Sequence, residues 1–115
     1  MRVKIYNKTS KVILNENIII SDTFLKRLKG LMFKTDFKEG MLFKNLKYGS
    51  SIHSLFMKFT LEVYFIDERN VVFDKIILKP WKSYKPIKKA KYILEFKNKS
   101  KKRLKIDDEI ELIFS

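Results

Sequence analysis

Three side chains in this sequence are of types that can carry chemistry, and each is rare or oddly placed. His53 is the only histidine, Trp81 the only tryptophan, and Glu62 lies in the apolar run "TLEVYFID". An imidazole can shuttle a proton or bind a ligand near neutral pH, but catalysis needs a partner that orients it. Ser54 cannot be that partner for His53, because successive side chains on a strand point to opposite faces. With one His and no Cys, a zinc site would need carboxylates for nearly all its ligands, which is unusual. No metal and no cofactor are therefore expected. His53 reads first as a structural hydrogen-bonding residue, then as a ligand contact, and last as a catalyst.

Glu62 would share one strand face with Tyr64 and Ile66, while Leu61, Val63 and Phe65 take the other. A carboxylate in that company needs a partner, because an unpaired buried charge is costly. A lysine on a neighbouring strand would satisfy it, and so would a bound ligand.

Trp81 is flanked by Lys79, Pro80 and Lys82, with Tyr84 close behind. Rings among lysines can stack bases and hold phosphates. They can equally cap the mouth of a barrel, the commoner arrangement. The sequence holds no Gly-rich phosphate loop, no HExxH and no GxSxG, which argues against a familiar enzyme. No catalytic residue is assigned.

The formal net charge is +13, and 22 of the 26 basic residues are lysine. Much of that excess fits a composition biased toward Lys, Ile and Asn. Its distribution is less easily explained. Residues 79–105 hold twelve Lys or Arg against one acid, Glu95, so this segment carries +11 and the rest +2. A basic stretch that includes Lys82, Tyr84, Lys85, Lys88, Lys89 and Lys91 could grip a phosphate backbone, although lysine lacks the rigid fork of arginine.

The elements that must position these residues are mostly strands. "RVKIY" alternates with Val3 and Ile5 on one face, and Val12–Leu14 and Ile18–Ile20 are short β-branched runs around a turn. Met41–Phe43, Ile52–Met57, Leu61–Ile66, Val71–Leu78, Ala90–Phe96 and Glu109–Phe114 follow as further strands. "DERN" (67–70) reads as a hairpin turn, and Gly40 as a bend into its strand. The period changes once. Ser21 or Asp22 can cap a helix near residues 22–29, with Phe24, Leu25 and Leu28 on one side and Gly30 ending it.

The chain is short enough for one domain, 1–115, and 45% of it is apolar, which fits a packed core. An all-β fold is expected: a sandwich- or barrel-like antiparallel domain with one short helix. There is no long apolar h-region at the N-terminus and no run able to span a bilayer. A cytoplasmic monomer without a membrane partner is expected.

Several stretches occur together in an order that resembles a known family. They are Gly30-Leu31-Met32-Phe33, Glu39-Gly40-Met41-Leu42-Phe43, and His53 through Phe59 leading to Phe65-Ile66-Asp67. Lys79-Pro80-Trp81 and Tyr92-Ile93-Leu94-Glu95 complete the series. The pattern, which covers about residues 20–112, resembles domain-of-unknown-function family 192, also known as uncharacterised protein family 0127, in its archaeal-type form. Glu62 takes the place of a usual Asp, the glycine after the LE strand is missing from Lys97-Asn98-Lys99, and Asp107 replaces the glycine of a G-D pair. The resemblance implies a mainly β domain and no activity, since the family has none established.

Together these readings point to a non-catalytic binding domain for a small anionic or sugar-like ligand. His53, Met57, Lys58, Glu62, Lys79 and Trp81 would form one cleft. The alternative is sequence-tolerant nucleic-acid binding by the basic 79–105 segment.

Overall fold

Strict alternation makes the first strand. In β1 (Arg2–Asn7) Val3, Ile5 and Asn7 are buried, while Arg2 and Lys4 are exposed. The computed structural model describes residues 2–21, 40–44, 52–53, 60–97 and 103–114. The remaining strands there are β2 (Val12–Ile13), β3 (Ile18–Ser21), β4 (Gly40–Phe43), β5 (Ile52–His53), β6 (Leu61–Ile66), β7 (Val72–Leu78), β8 (Ser83–Tyr84), β9 (Tyr92–Lys97) and β10 (Ile110–Phe114). The helix expected near 22–29 lies outside the described residues, as does the second half of the strand expected over Ile52–Met57.

One sheet runs in the order β10-β1-β3-β4-β9-β6-β7, with β2 added to β1, while β5 and β8 form a separate two-stranded ladder. The long sheet curls on itself. Val71 bridges to Glu109, the Val72 N–H donates to the Asp108 carbonyl at 2.9 Å, and the Ile110 N–H donates to the Asn70 carbonyl at 2.8 Å. The β7 end of the sheet is thereby tied to the approach to β10.

The antiparallel arrangement expected of the domain has one exception. β3 and β4 run parallel, with Ile18 opposite Gly40 and Ile20 opposite Leu42. A parallel pair needs a long crossover, and residues 22–39 separate the two strands. Nothing in the local pattern of either strand announces this pairing.

The mainly β reading holds, and both faces of β6 are buried. Tyr64 and Ile66 join Val3, Ile5, Ile18, Leu42, Leu94, Phe96, Val72 and Ile110 in a cluster that draws on every strand of the long path. That cluster fills the concave side. Leu61, Val63 and Phe65 pack on the convex side with Met41, Phe43, Leu78, Ala90 and Ile93.

Gly40 has a different role from the bend expected of it. A Cβ there would come within 2.5 Å of Phe96 Cε1 and 2.8 Å of its Cδ1. The residue is glycine because a ring lies against its backbone. The β6–β7 turn, by contrast, is the expected one. The Asp67 carboxylate accepts the N–H groups of Arg69 at 2.9 Å and Val71 at 3.1 Å, and Asn70 takes a φ of 62°.

Candidate functional site

Beyond β7 the chain doubles back over the convex face as a strap, residues 79–91. It opens with a tight turn at Lys79-Pro80-Trp81-Lys82. Proline fixes φ near −65° at the second position, and Trp81 at the third has a φ of 64°. This is the signature of a type II turn, whose third residue is normally Gly or Asn because it needs positive φ. A bulky side chain in the left-handed region costs roughly 1–2 kcal/mol and persists where something else requires it. The Trp81 ring is not hidden in the core, since the residue is 59% exposed.

The strap is then pinned down its length. Ser83 and Tyr84 form β8, which places Ser83 opposite His53 and Tyr84 opposite Ile52. The Tyr84 hydroxyl donates to Asp74 Oδ2 at 2.7 Å, and its ring lies 5.6 Å from that of Phe65. The bond to Asp74, aided by burial, raises the Tyr84 pKa above the ordinary phenol value. Further along, Pro86 and Ala90 are buried and Ile87 is 86% exposed. Lys88 Nζ reaches Asp67 Oδ2 at 3.4 Å and lies 4.8 Å from the centroid of Phe73. Burial alone would raise the pKa of Asp67. The N–H groups of Val71 and Arg69, with the Arg69 and Lys88 side chains, more than offset it and hold the carboxyl below its usual value.

The concave face holds a polar network around Glu62. Arg103 Nη1 donates to Glu62 Oε2 at 2.6 Å, and Arg103 Nε donates to Glu16 Oε1 at 3.1 Å. The Tyr64 hydroxyl donates to Glu62 Oε1 and accepts the N–H groups of Arg103 at 3.2 Å and Leu104 at 3.3 Å. The guanidinium carbon lies 4.4 Å from the Phe96 centroid. Burial, and then the bond to Glu62, raise the Tyr64 pKa far above the ordinary phenol value. Glu62 thus has its partner, an arginine from a loop rather than a lysine from a strand. A further buried carboxylate, Glu95, sits opposite Met41 and Val63 in the ladders of β9.

The single cleft expected for the candidate residues divides in two. Glu62 faces the concave side with Arg103, whereas Tyr84, on the strap that carries Trp81, packs on the convex side. His53 joins the strap side through its ladder with Ser83. Met57 and Lys58 lie outside the described residues. Lys79, Lys82, Lys85 and Lys89 are exposed on the strap, and Lys91 Nζ lies 5.1 Å from the Tyr92 centroid.

Nor do the described basic residues within 79–105 form one face. Lys91 and Lys97 stand at opposite ends of β9, roughly 20 Å apart at ~3.3 Å per residue. Arg103 is nearly buried, with 7% of its side chain exposed. Arg103 and Glu16 are the residues that sequence reasoning missed. The available signal was chemical: an arginine in a lysine-dominated chain offers the planar fork that a paired carboxylate uses. Among the described residues no helix is long and apolar enough to cross a membrane.

The family model DUF192, described as "Uncharacterized ACR, COG1430", matches residues 5–114. A UPF0127 protein of Pyrococcus abyssi is 32% identical over 114 residues, covering 95% of this chain and 97% of that one. A second, from Pyrococcus horikoshii, is 35% identical over 94 residues, 79% of this chain and 81% of its own. A third, from Thermococcus sibiricus, is 35% identical over 92 residues and is longer, with 60% of its length covered. Two solved structures share the fold at 18% identity. One, a candidate transcription regulator from Sinorhizobium meliloti 1021, has a TM-score of 0.80 and covers 96% of this chain and 92% of its own. The other, a protein of unknown function from Novosphingobium aromaticivorans, has a TM-score of 0.73 and covers 96% and 84%.

Proposed function

We propose, for a chain that belongs to the DUF192 family of uncharacterised proteins, a non-catalytic role: binding a small anionic or sugar-like ligand at the strap. The observation that carries this reading is Trp81 itself. A tryptophan stands there at a φ of 64°, where glycine would be unstrained, and is 59% exposed. In this reading the turn presents an aromatic face. Lys79 and Lys82 bracket that face with positive charge, and the β5–β8 ladder brings the backbone of His53 near it. A flat ring stacks on the apolar face of a sugar, and two ammonium groups suit one or two anionic substituents. Glu62 takes no part in this reading, because Arg103 and Tyr64 occupy it.

Trp81 is the only tryptophan, so its emission reports on the site directly. Titration with inositol hexakisphosphate is expected to give a saturable change that weakens by about tenfold between ~50 and ~200 mM salt, consistent with only a few phosphate contacts. By calorimetry, Trp81→Gly is expected to keep the fold and lose the binding. An unchanged emission, in a protein whose Trp81 is quenched by added iodide, overturns the proposal.

A further inference from the structure

The strap has two sides. Tyr84, Pro86 and Ala90 turn inward and anchor it to the convex face. Trp81, Lys82, Lys85, Ile87 and Lys89 remain outside. Two of these outer residues are large and apolar, Trp81 at 59% and Ile87 at 86% exposure. Neither Asp nor Glu occurs anywhere between Asp74 and Glu95. Two exposed apolar side chains among lysines, on a stretch of chain that itself holds no acid, suit one kind of boundary. Tryptophan settles at the headgroup level of a bilayer, aliphatic side chains enter the acyl boundary, and lysines are drawn to anionic lipids.

We infer that residues 79–91 dock this protein on an anionic lipid surface, with Trp81 and Ile87 entering the interface and the lysines on headgroup phosphates. The inference rests on the binding role proposed above, names the headgroup as the source of the anion, and departs from the expectation of no membrane partner. Docking of this kind needs no membrane span, only a ridge that lies along the surface, and the pins at Asp74 and Asp67 hold the strap along β7 in that manner. A nucleic acid is the weaker fit. Isoleucine offers a base nothing to stack on, and the second stacking ring, Tyr84, is packed against Phe65.

The test uses the full chain with phosphatidylcholine vesicles, alone or mixed with phosphatidylglycerol, read by co-sedimentation and Trp81 emission. Ile87→Ser is the diagnostic variant, because a residue so exposed can be changed without loss of core. Wild type is expected to sediment only with the mixed vesicles, its emission moving to shorter wavelength. Ile87→Ser is expected to weaken that binding about tenfold or more. Each of Lys85→Glu and Lys89→Glu should weaken it at least about fivefold. Inositol hexakisphosphate in solution should bind Ile87→Ser as it binds wild type.

Binding of the soluble anion without vesicle binding overturns the lipid inference and leaves the proposed function standing. Loss of both removes both. Vesicle binding that ignores Ile87→Ser reduces the contact to charge alone and overturns docking through the apolar tips. Single-stranded oligonucleotide that binds tightly and displaces the protein from vesicles would assign the strap to nucleic acid instead.

Discussion

Arg103 holds Glu62 from 41 positions away, its Nη1 donating at 2.6 Å to a carboxylate on the concave face of β6. Removing one member of a nearly buried ion pair leaves the other charged and unpaired, which costs about 3–5 kcal/mol. Arg103→Ala is therefore expected to unfold at clearly lower denaturant than wild type. The double replacement Glu62→Leu with Arg103→Leu should recover much of the loss, since well-packed apolar side chains often substitute for such a pair. Urea midpoints of the two variants decide it. Equal destabilisation would mean that the pair is not a coupled unit.

Asp67 gives the fold a specific acid sensitivity. Its folded pKa is depressed below the unfolded value, near 3.9, so its stabilising contribution is fully present above that value. The contribution is lost as pH falls through the folded pKa. Thermal midpoints are expected to vary little through this group between about pH 7 and 5 and to fall below about pH 4. Asp67→Asn should start lower at neutral pH and show a shallower acid decline.

Gly40→Ala places a methyl group into the Phe96 ring, which is buried and stacked under Arg103. The ring is buried, and overpacking of this kind costs about 1–3 kcal/mol. Chemical denaturation should show that loss, and relief of it by Phe96→Leu in the same background.

Asp107 has a φ of 76° in the loop that ties β7 to the approach to β10. Asp107→Gly removes the left-handed penalty and is expected to raise stability by up to about 1 kcal/mol, whereas Asp107→Ala should lower it. The denaturant midpoints of the two variants should move in opposite directions.

How legible all this was varies with the range of the forces involved. β6 was readable to the residue because a period-2 run ends in a turn with its own chemistry, and Glu62 was recognisable as an acid in need of a partner. The substitution of Asp107 for glycine flagged a loop whose left-handed geometry the aspartate in fact retains. β8 was missed, since two residues carry no period. The parallel pairing of β3 with β4 and the partnership of Arg103 with Glu62 were missed for a deeper reason. Both are non-local, and neither leaves a mark in the neighbouring sequence. The division of the expected cleft follows from the same cause: alternation fixes which residues share a face of a strand, but only the strap's path decides which face meets Trp81.

The pairing of β1 has a consequence for the order of events during folding. Among the described residues, one edge of β1 is covered by β2 and β3, both complete by Ser21, and the other by β10, with Val3 opposite Phe114. While the chain is being made, that second edge stays open until residues 110–114 have emerged. A strand bearing Val3 and Ile5 then waits, while the residues between β1 and β10 are made, with half its backbone groups unpaired, a template for any other extended chain it meets. The same long closure sets a slow pace for the final step, because contacts between positions so far apart must be won against the entropy of the loop between them. Asn7 spans that separation: its Oδ1 accepts the nearby N–H groups of Thr9 and Ser10, while its amide donates to Asp108 at 2.8 Å, a bond available only once residue 108 has been made.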